Sequence, residues 1–104
     1  MTIKHLQFDD SGSVAYGALT TSYQTVLSMT DDADFLFIYN TTDSLLYVKI
    51  PSGSATTKEL IFPGGSTIAI DCRTNSKRIA KGNIQVKYSG TAPTSGVVIV
   101  TVAR

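Results

Sequence analysis

Side chains alternate in kind with a period of two along much of this chain, and Phe35–Ile50 contains two such runs. In FLFIYN the aromatic residues alternate with Leu36, Ile38 and Asn40, in LLYVKI both sets of alternate positions again carry large apolar residues, and the four residues TTDS between these runs favour a turn. The pattern therefore predicts a β-hairpin with apolar groups on both faces, which the rest of the chain has to cover. One face of this hairpin consists of Leu36, Ile38, Leu45 and Tyr47. We expect a second sheet or a neighbouring subunit to cover it.

Shorter alternating runs, each bounded by turn residues, continue the pattern. They are Tyr23–Met29, Lys58–Phe62, Ser66–Cys72, Asn83–Ser89 and Val97–Ala103. The Pro-Gly-Gly turn at 63–65 predicts that the second and third of these runs pair as another hairpin. No segment of ten or more residues has a helical period. Seven short strands joined by turns predict an all-β fold, a single antiparallel β-sandwich of the jelly-roll or immunoglobulin-like kind with about seven or eight strands.

The first 20 residues differ from the rest, because a short apolar alternation is followed there by polar and small residues. The larger apolar residues of this segment are Ile3, Leu6, Phe8 and Tyr16. We interpret residues 1–20 as an extended N-terminal arm and residues 21–104 as the β-sandwich domain. An arm with this much apolar surface is expected to pack, either on its own domain or on a neighbouring subunit.

The composition excludes several kinds of chemistry. Cys72 is the only cysteine and His5 the only histidine, which excludes an intrachain disulfide and a cysteine-based zinc site and disfavours a histidine-based metal site or catalytic triad. The acidic turn with Asp31, Asp32 and Asp34 lacks the glycine and distal glutamate of a calcium-binding loop, and an apolar strand follows it directly. We therefore expect no cofactor, no metal and no enzymatic activity.

Targeting signals are also missing from the pattern. No apolar run approaches the roughly 20 residues needed to span a bilayer, and the N-terminus lacks the apolar region of a secretory signal. We therefore expect a protein that is made in the cytoplasm, is not secreted and has no membrane partner. The Asn40-Thr41-Thr42 sequence matches a glycosylation acceptor, but we interpret it as the polar turn of the first hairpin.

Charge is distributed unevenly, although the net charge is only +1. Residues 1–71 carry all eight acidic groups and a net charge of −5, whereas residues 72–104 carry six basic groups and no acid. Either the fold mixes these charges on one surface, or they form complementary faces between subunits or a basic face towards an acidic partner. The basic residues that we select as interface candidates are Arg73, Lys77, Arg78 and Lys81. Only Tyr88 supplies an aromatic ring in this region, which disfavours nucleic-acid binding.

Three motifs follow one another along the chain before a valine-rich last strand. They are an aliphatic–Asn–x–Thr–Asp segment at Ile38–Asp43, an Asp–x–Arg–Thr–Asn step at Asp71–Asn75 and a Gly–Thr–x–x–Thr–Ser–Gly turn at Gly90–Gly96. In this order they resemble a group of small structural proteins from the virions of tailed bacteriophages. The similarity spans about residues 20–104 and leaves the arm outside.

The resemblance implies a non-enzymatic virion protein, most simply a capsid decoration (cement) protein that binds the assembled capsid and stabilises it through many weak contacts. It implies the major capsid protein or another virion protein as partner, a homo-oligomer such as a trimer, and a location in the virion. A tail, collar or fibre-base component is the alternative within this group. A carbohydrate-binding β-sandwich module is the alternative of another class, because the five tyrosines could supply aromatic platforms.

Overall fold

The computed structural model describes residues 8–51, 58–72 and 78–104, and these residues form eight β-strands and one short helical turn. The strands are β1 (Phe8–Ala15), β2 (Gln24–Met29), β3 (Phe35–Asn40), β4 (Leu46–Ile50), β5 (Lys58–Phe62), β6 (Thr67–Asp71), β7 (Gly82–Tyr88) and β8 (Val97–Ala103). A 3₁₀ turn at Tyr16–Ala18 follows β1. Within these ranges no helix is long and apolar enough to cross a membrane.

The strands form two antiparallel sheets of four strands each. Sheet A has the order β1-β8-β3-β6, and sheet B has the order β2-β7-β4-β5. Apart from β4 and β5, strands that follow one another in sequence lie in opposite sheets. This is the strand order of a jelly roll, which folds two Greek keys into one sandwich. The predicted all-β antiparallel sandwich is therefore confirmed.

The connection between β3 and β4 differs from the predicted hairpin. β3 pairs with β6 and β8 in sheet A, whereas β4 pairs with β5 and β7 in sheet B. The hairpin predicted over Phe35–Ile50 is therefore wrong, although both of its strands are present. A period of two places alternate residues on a buried face, but it does not distinguish two neighbours in one sheet from two strands in opposite sheets.

The second predicted hairpin is wrong for the same reason. The Pro63-Gly64-Gly65 turn carries the chain from β5 in sheet B to β6 in sheet A. A Cβ at Gly64 would lie 2.8 Å from the carbonyl oxygen of Thr42, so this turn packs closely on the β3–β4 connection. β5 instead pairs with β4 in an antiparallel ladder from Leu46↔Phe62 to Ile50↔Lys58.

Part of the segment that we interpreted as an arm is an edge strand of the sandwich. β1 pairs with β8 of the same chain, from Phe8↔Ala103 to Ala15↔Val97, so residues 8–15 pack on their own domain. A Cβ at Gly12 would lie 2.2 Å from the carbonyl oxygen of Val26 in β2. The glycine therefore allows the edge strands of the two sheets to approach closely. The boundary that we placed after residue 20 lies between these two strands.

Aliphatic side chains from both sheets fill the core. Leu36 and Ile38 from sheet A and Leu46 and Val48 from sheet B are fully buried in one cluster. Burying each such side chain contributes about 1.5–3 kcal/mol relative to leaving it exposed. On β7 and β8 the buried positions are mainly valines, which fit the pleated inner surface of a sheet.

The face that we expected to need cover is divided between the core and the surface. Leu36 and Ile38 are covered by the second sheet of the same chain. Leu45 is 43% exposed at the start of the outer surface of sheet B, and Tyr47 lies half-buried beside it. Leu36 and Ile38 therefore belong to the core, whereas Leu45 and Tyr47 lie at the surface.

Candidate interaction surfaces

The loops between strands lie at the two ends of the sandwich. We call one the hydrogen-bonded end; it contains the loops 16–23, 41–45, 63–66 and 89–96. We call the other the charged end; it contains the loop 30–34, the segment 78–81 and Arg104. The two ends use different polar chemistry to join the sheets, and each contains residues that the sequence singled out.

Asn40 ends β3 and organises the hydrogen-bonded end. The residue is 1% exposed, and its Nδ2 donates to the carbonyl oxygens of Ser44, Phe62 and Pro63 at 3.1, 2.9 and 3.1 Å. Its Oδ1 accepts from the backbone N and the Oγ1 of Thr42 at 3.0 and 2.6 Å. One amide therefore joins a loop of sheet A to a strand end of sheet B through both its donors and its acceptor. The Asn40 side chain of the glycosylation-like sequence is therefore buried and is not accessible as a glycosylation acceptor.

The same loop is bound to the segment before β8. The backbone N and the Oγ1 of Thr41 donate to the carbonyl oxygen of Val97 at 3.0 and 2.8 Å. Thr94 donates its backbone N–H to Asp43 Oδ1 at 2.8 Å and its hydroxyl to Asp43 Oδ2. These hydrogen bonds from Thr94 hold the pKa of Asp43 below its ordinary value. Gly96 has a φ of +94°, and a Cβ there would lie 2.2 Å from the carbonyl oxygen of Thr41.

Two of the three motifs that carry the resemblance to virion proteins therefore bind each other. Ile38–Asp43 supplies the buried amide and the side chains of Thr41 and Asp43, and Gly90–Gly96 supplies Thr94 and the close-packed glycine. Of the third motif, the structure describes only the first two residues. The two described motifs hold the jelly roll together at one end.

Opposite charges meet at the charged end. Arg78 Nε donates to Oδ1 of the buried Asp34 at 2.8 Å. Arg78 and Arg104 both donate to the carbonyl oxygen of Asp32, at 2.9 and 3.0 Å, and Lys81 donates its backbone N–H to Asp32 Oδ1 at 2.9 Å. An open cleft of about 420 Å³ lies between these residues. In the described chain, the acidic turn and part of the basic segment are thus mixed on one surface of the same subunit.

The structure places the predicted interface residues in separate regions. Arg78 and Lys81 lie together at the charged end, where the acidic turn of the same chain holds Arg78. Tyr16 lies at the opposite end and is 43% exposed. Phe8 begins β1 in register with Ala103. The remaining four candidates lie outside the described residues: Ile3, Leu6, Arg73 and Lys77.

A row of aromatic side chains lies on the outer face of sheet A. Phe35, Phe37 and Tyr39, which we call the aromatic row, have successive ring centroids 5.9 and 4.5 Å apart. The two phenylalanines are half-buried and Tyr39 is 39% exposed. Ala69 and Thr101 flank Phe37 in register, so the neighbouring strands present only small groups beside it. The sequence did not predict this surface, because both sets of alternate residues in β3 are largely apolar. The only signal was that one set is aromatic and the other mainly aliphatic.

The outer face of sheet B carries a second group, which we call the lysine–tyrosine cluster: Tyr23, Tyr47, Lys49, Glu59 and Lys87. The Nζ atoms of Lys49 and Lys87 lie 4.6 and 4.8 Å from the ring centroid of Tyr23, and Lys87 Nζ also lies 6.0 Å from that of Tyr47. The Tyr23 hydroxyl donates to Glu59 Oε2. Desolvation and the Glu59 carboxylate raise the pKa of Tyr23 well above its ordinary value. Each exposed cation–π contact contributes about 0.5–1 kcal/mol.

A groove of about 380 Å³ adjoins this cluster at the hydrogen-bonded end. Tyr47 and Leu45 form its apolar part, and Asp43, Ser44 and Thr91 contribute polar groups. The Ser44 hydroxyl donates to the carbonyl oxygen of Thr91, which joins the two loops on either side. The groove therefore combines an aromatic ring with fixed hydrogen-bonding groups.

The described residues contain no group of three His, Cys, Asp or Glu side chains that could hold a metal ion. Cys72 is partly buried against the core, and its backbone N–H donates to the carbonyl oxygen of Asp34 at 2.7 Å. Every buried side-chain nitrogen and oxygen in these ranges has a hydrogen-bond partner. Most of the buried polar groups therefore join loops, and the exposed aromatic and lysine groups are the candidates for contacts outside the chain.

Comparison with known proteins gives one informative likeness. No protein-family model and no curated protein matches the sequence. Among solved structures, the chain is similar to a subunit of Bacillus endospore appendages, which are described as a novel family of disulfide-linked pili. The match has a TM-score of 0.56 and 11% sequence identity, and it covers 99% of this chain and 92% of the other. At this identity the likeness establishes a common fold over nearly the whole of both chains.

Proposed function

We propose that this protein is a non-enzymatic structural subunit, specifically a capsid decoration protein of a bacteriophage virion. It is made in the host cytoplasm, binds the major capsid protein of the assembled shell as a homo-oligomer such as a trimer, and stabilises the shell because it binds only the assembled state. The observation that carries the proposal is the aromatic row. It lies on the outer face of sheet A, while aliphatic side chains on the inner face fill the core between the sheets.

An outward aromatic row is suited to binding another protein surface. Aromatic side chains are enriched in protein interfaces, where they bury a large area and lose little conformational entropy. In this chain Phe37 stands in register with the small residues Ala69 on β6 and Thr101 on β8, and Tyr39 stands in register with Thr67 and Ile99. The Phe37 ring therefore rises above its neighbours in the sheet, where a partner can pack against it.

The fold and the sequence motifs support the same assignment. Jelly rolls are a common architecture of viral capsid proteins. The similar Bacillus protein assembles into pili, so a chain with this fold can serve as a repeating subunit. The ordered motifs resemble those of small virion proteins, and a protein present in many copies needs only a modest affinity at each site.

The test uses a double variant, Phe37→Ser with Tyr39→Ser, and Ile61→Ser as the matched control. Ile61 is an apolar residue on the edge strand of sheet B and is 65% exposed. We expect the double variant to keep its thermal unfolding transition and circular dichroism spectrum but to lose oligomer mass and co-sedimentation with purified capsids, while the control retains both. Unchanged co-sedimentation of the double variant would contradict the role of the aromatic row.

Localisation separates the capsid from other virion parts. Mass spectrometry of purified particles and immunogold labelling should place the protein on the head. Labelling of the tail, the collar or the base of the fibres would contradict the decoration role and identify the protein as a component of that part of the virion. Absence from particles, together with a folded and oligomeric protein, would contradict the virion assignment and leave only the structural role.

A further inference from the structure

We propose that the outer face of sheet B, beside the groove at Tyr47, binds an acidic saccharide. A sugar ring would stack on the ring of Tyr47, and its acidic substituent would contact the ammonium groups of Lys87 and Lys49. This site is separate from the aromatic row on sheet A, so it adds a ligand to the proposed structural role and does not depend on it.

Two lysines of this surface lie against an aromatic ring. Lys49 and Lys87 both place Nζ within cation–π distance of the Tyr23 ring, and in the part of the chain that the structure describes neither forms an ion pair with a carboxylate. Two positive charges beside one aromatic ring repel each other and raise the local potential. An anion supplied from outside would neutralise them and complete the site.

Tyr23 is oriented by the acidic residue of the cluster. Its hydroxyl donates to Glu59, and this bond occupies the one acidic side chain of the cluster. Glu59 stands in register with Lys49 across the β4–β5 ladder, yet the lysine lies over the tyrosine ring. Tyr23 and Glu59 therefore hold the two ammonium groups in place and leave them available to a ligand.

The groove and Lys49 lie on opposite sides of Tyr47 along the strands. Tyr47 stands in register with Lys87 on β7, and Lys49 lies two residues further along β4, away from the loops. The groove lies on the loop side of Tyr47, where Asp43 and Thr91 provide oxygen acceptors. A stacked sugar would thus have hydroxyl-binding groups on one side and cations on the other.

The pattern fits a saccharide better than an apolar protein surface. Sugars present C–H groups on their flat faces and hydroxyls at their edges, and they are bound by an aromatic ring with polar groups around it. Here a half-buried tyrosine lies between a polar groove and two lysines, and the exposed Ile61 stands in register with it on β5. The two ammonium groups select a carboxylated, sulfated or phosphorylated sugar over an uncharged one.

The test measures amide chemical-shift changes and binding isotherms with three oligosaccharides. Oligogalacturonate supplies carboxylates, a heparin-derived oligosaccharide supplies sulfates, and maltotetraose is the uncharged control. We expect one acidic probe to shift amide signals of β4 and β7 around Tyr47 and Lys87, and maltotetraose to bind roughly tenfold more weakly or not at all. The preferred acid group identifies the chemical source of the charge.

Variants distinguish a defined site from general attraction. Lys49→Gln with Lys87→Gln should weaken binding of the acidic probe by roughly tenfold or more, whereas Lys81→Gln, which removes an exposed lysine at the charged end, should not. Tyr47→Ala should abolish binding and Tyr47→Phe should retain it, because the ring and not the hydroxyl forms the platform. Unfolding transitions would establish that each variant is folded.

Three results would overturn the proposal. One is the absence of shifts with both acidic probes at millimolar concentration. Another is an equal loss of binding in Lys81→Gln, which would indicate only net charge. The third is equally tight binding of polyglutamate, which would identify a docking surface for an acidic protein. Capsid association of these variants is measured in parallel, so failure here and failure of the decoration role can be told apart.

Discussion

The two ends of this sandwich both join sheet A to sheet B, but they do so with different chemistry. At the hydrogen-bonded end a buried, uncharged amide from Asn40 binds three carbonyl oxygens, and Gly96 packs directly on the backbone of the facing loop. At the charged end, guanidinium groups that are partly exposed to solvent bind the acidic turn, as Arg78 does with Asp34. Buried hydrogen bonds between uncharged groups depend on shape and are insensitive to salt, whereas ion pairs with one solvent-exposed partner are weakened by screening.

This difference indicates which end specifies the fold. The jelly roll needs the chain to cross between sheets at 41–45, and the Asn40 amide joins this crossing to the separate segment that contains Phe62 and Pro63. At the charged end the crossing is also held by backbone bonds, such as the bridge between Ala33 and Ile79, and the charges add to it. We therefore expect substitutions at the hydrogen-bonded end to be more costly and less dependent on solution conditions.

The largest effect is expected for Asn40→Ala. The substitution removes the amide donor of the buried Phe62 carbonyl oxygen and the 2.6 Å acceptor of the Thr42 hydroxyl, so the free energy of unfolding should fall by about 3 kcal/mol or more. Urea titration followed by circular dichroism measures the loss. Asn83→Ala is the matched control, because that exposed side chain accepts a hydrogen bond from the Ser28 hydroxyl at the surface, and its loss should cost about 1 kcal/mol or less. Equal losses in the two variants would contradict the role given to Asn40.

The next effect is expected for Gly96→Ala. Its φ of +94° is unfavourable for a residue with a side chain, and the new Cβ would overlap the Thr41 carbonyl, so we expect a loss of about 2–3 kcal/mol. Gly90→Ala lies in the same loop and would place its Cβ in open space. The control should change stability by about 0.5 kcal/mol or less. A tolerated alanine at Gly96 would show that the two loops separate in solution.

A smaller and salt-dependent effect is expected at the charged end. Arg78→Ala removes a partner of the buried Asp34 carboxylate and should cost about 1–2 kcal/mol at low salt. The difference from the native protein should shrink as sodium chloride is added, because screening weakens the pair. Lys81→Ala keeps the backbone bond to Asp32 and serves as the control for loss of one charge. A loss that does not change with salt would show that packing of the arginine stem is the main contribution.

The smallest effect concerns pH at the hydrogen-bonded end. Because the folded pKa of Asp43 is lowered, its contribution to stability is present above the unfolded pKa of about 3.9 and is lost as the pH falls through the folded value. Thr94→Val removes the hydroxyl donor while keeping the backbone donor, so the Asp43 pKa should rise towards its ordinary value. Carbon chemical shifts of the carboxyl group during a pH titration measure both values. An unchanged midpoint in Thr94→Val would contradict the assigned cause.

Much of the local structure was predictable from the alternation of residues. Val97–Ala103 and Lys58–Phe62 were predicted with the bounds that the structure shows, and Ile84 and Val86 are buried as their phase indicates. β1 was missed because FDDSGSVA has little apolar alternation. This edge strand forms through its backbone pairing with β8, which no local pattern reveals.

The candidate surfaces were less predictable than the strands. The tyrosines were recognised as possible platforms, but Tyr47 and the two lysines come from two strands of sheet B, and Tyr23 comes from the loop before a third. Their proximity depends on the jelly-roll order. The aromatic row could have been suspected because one set of alternate residues in β3 is aromatic and the other is smaller. The row is exposed because Leu36 and Ile38, from the other set, fill the core, and this is seen only in the structure.

The sequence by itself determined the all-β class, most of the strands and the turns between them, because these follow from the two-residue period of an extended backbone and from local turn chemistry. Only the tertiary structure decided which sheet each strand joins, which phase of β3 faces the core, and that the acidic turn meets Arg78 within one chain. These outcomes depend on contacts between residues far apart in sequence. The Asn40 amide illustrates this dependence. Its hydrogen bonds to the carbonyl oxygens of Phe62 and Pro63 stabilise a crossing between the sheets at a place where the local sequence predicts a hairpin.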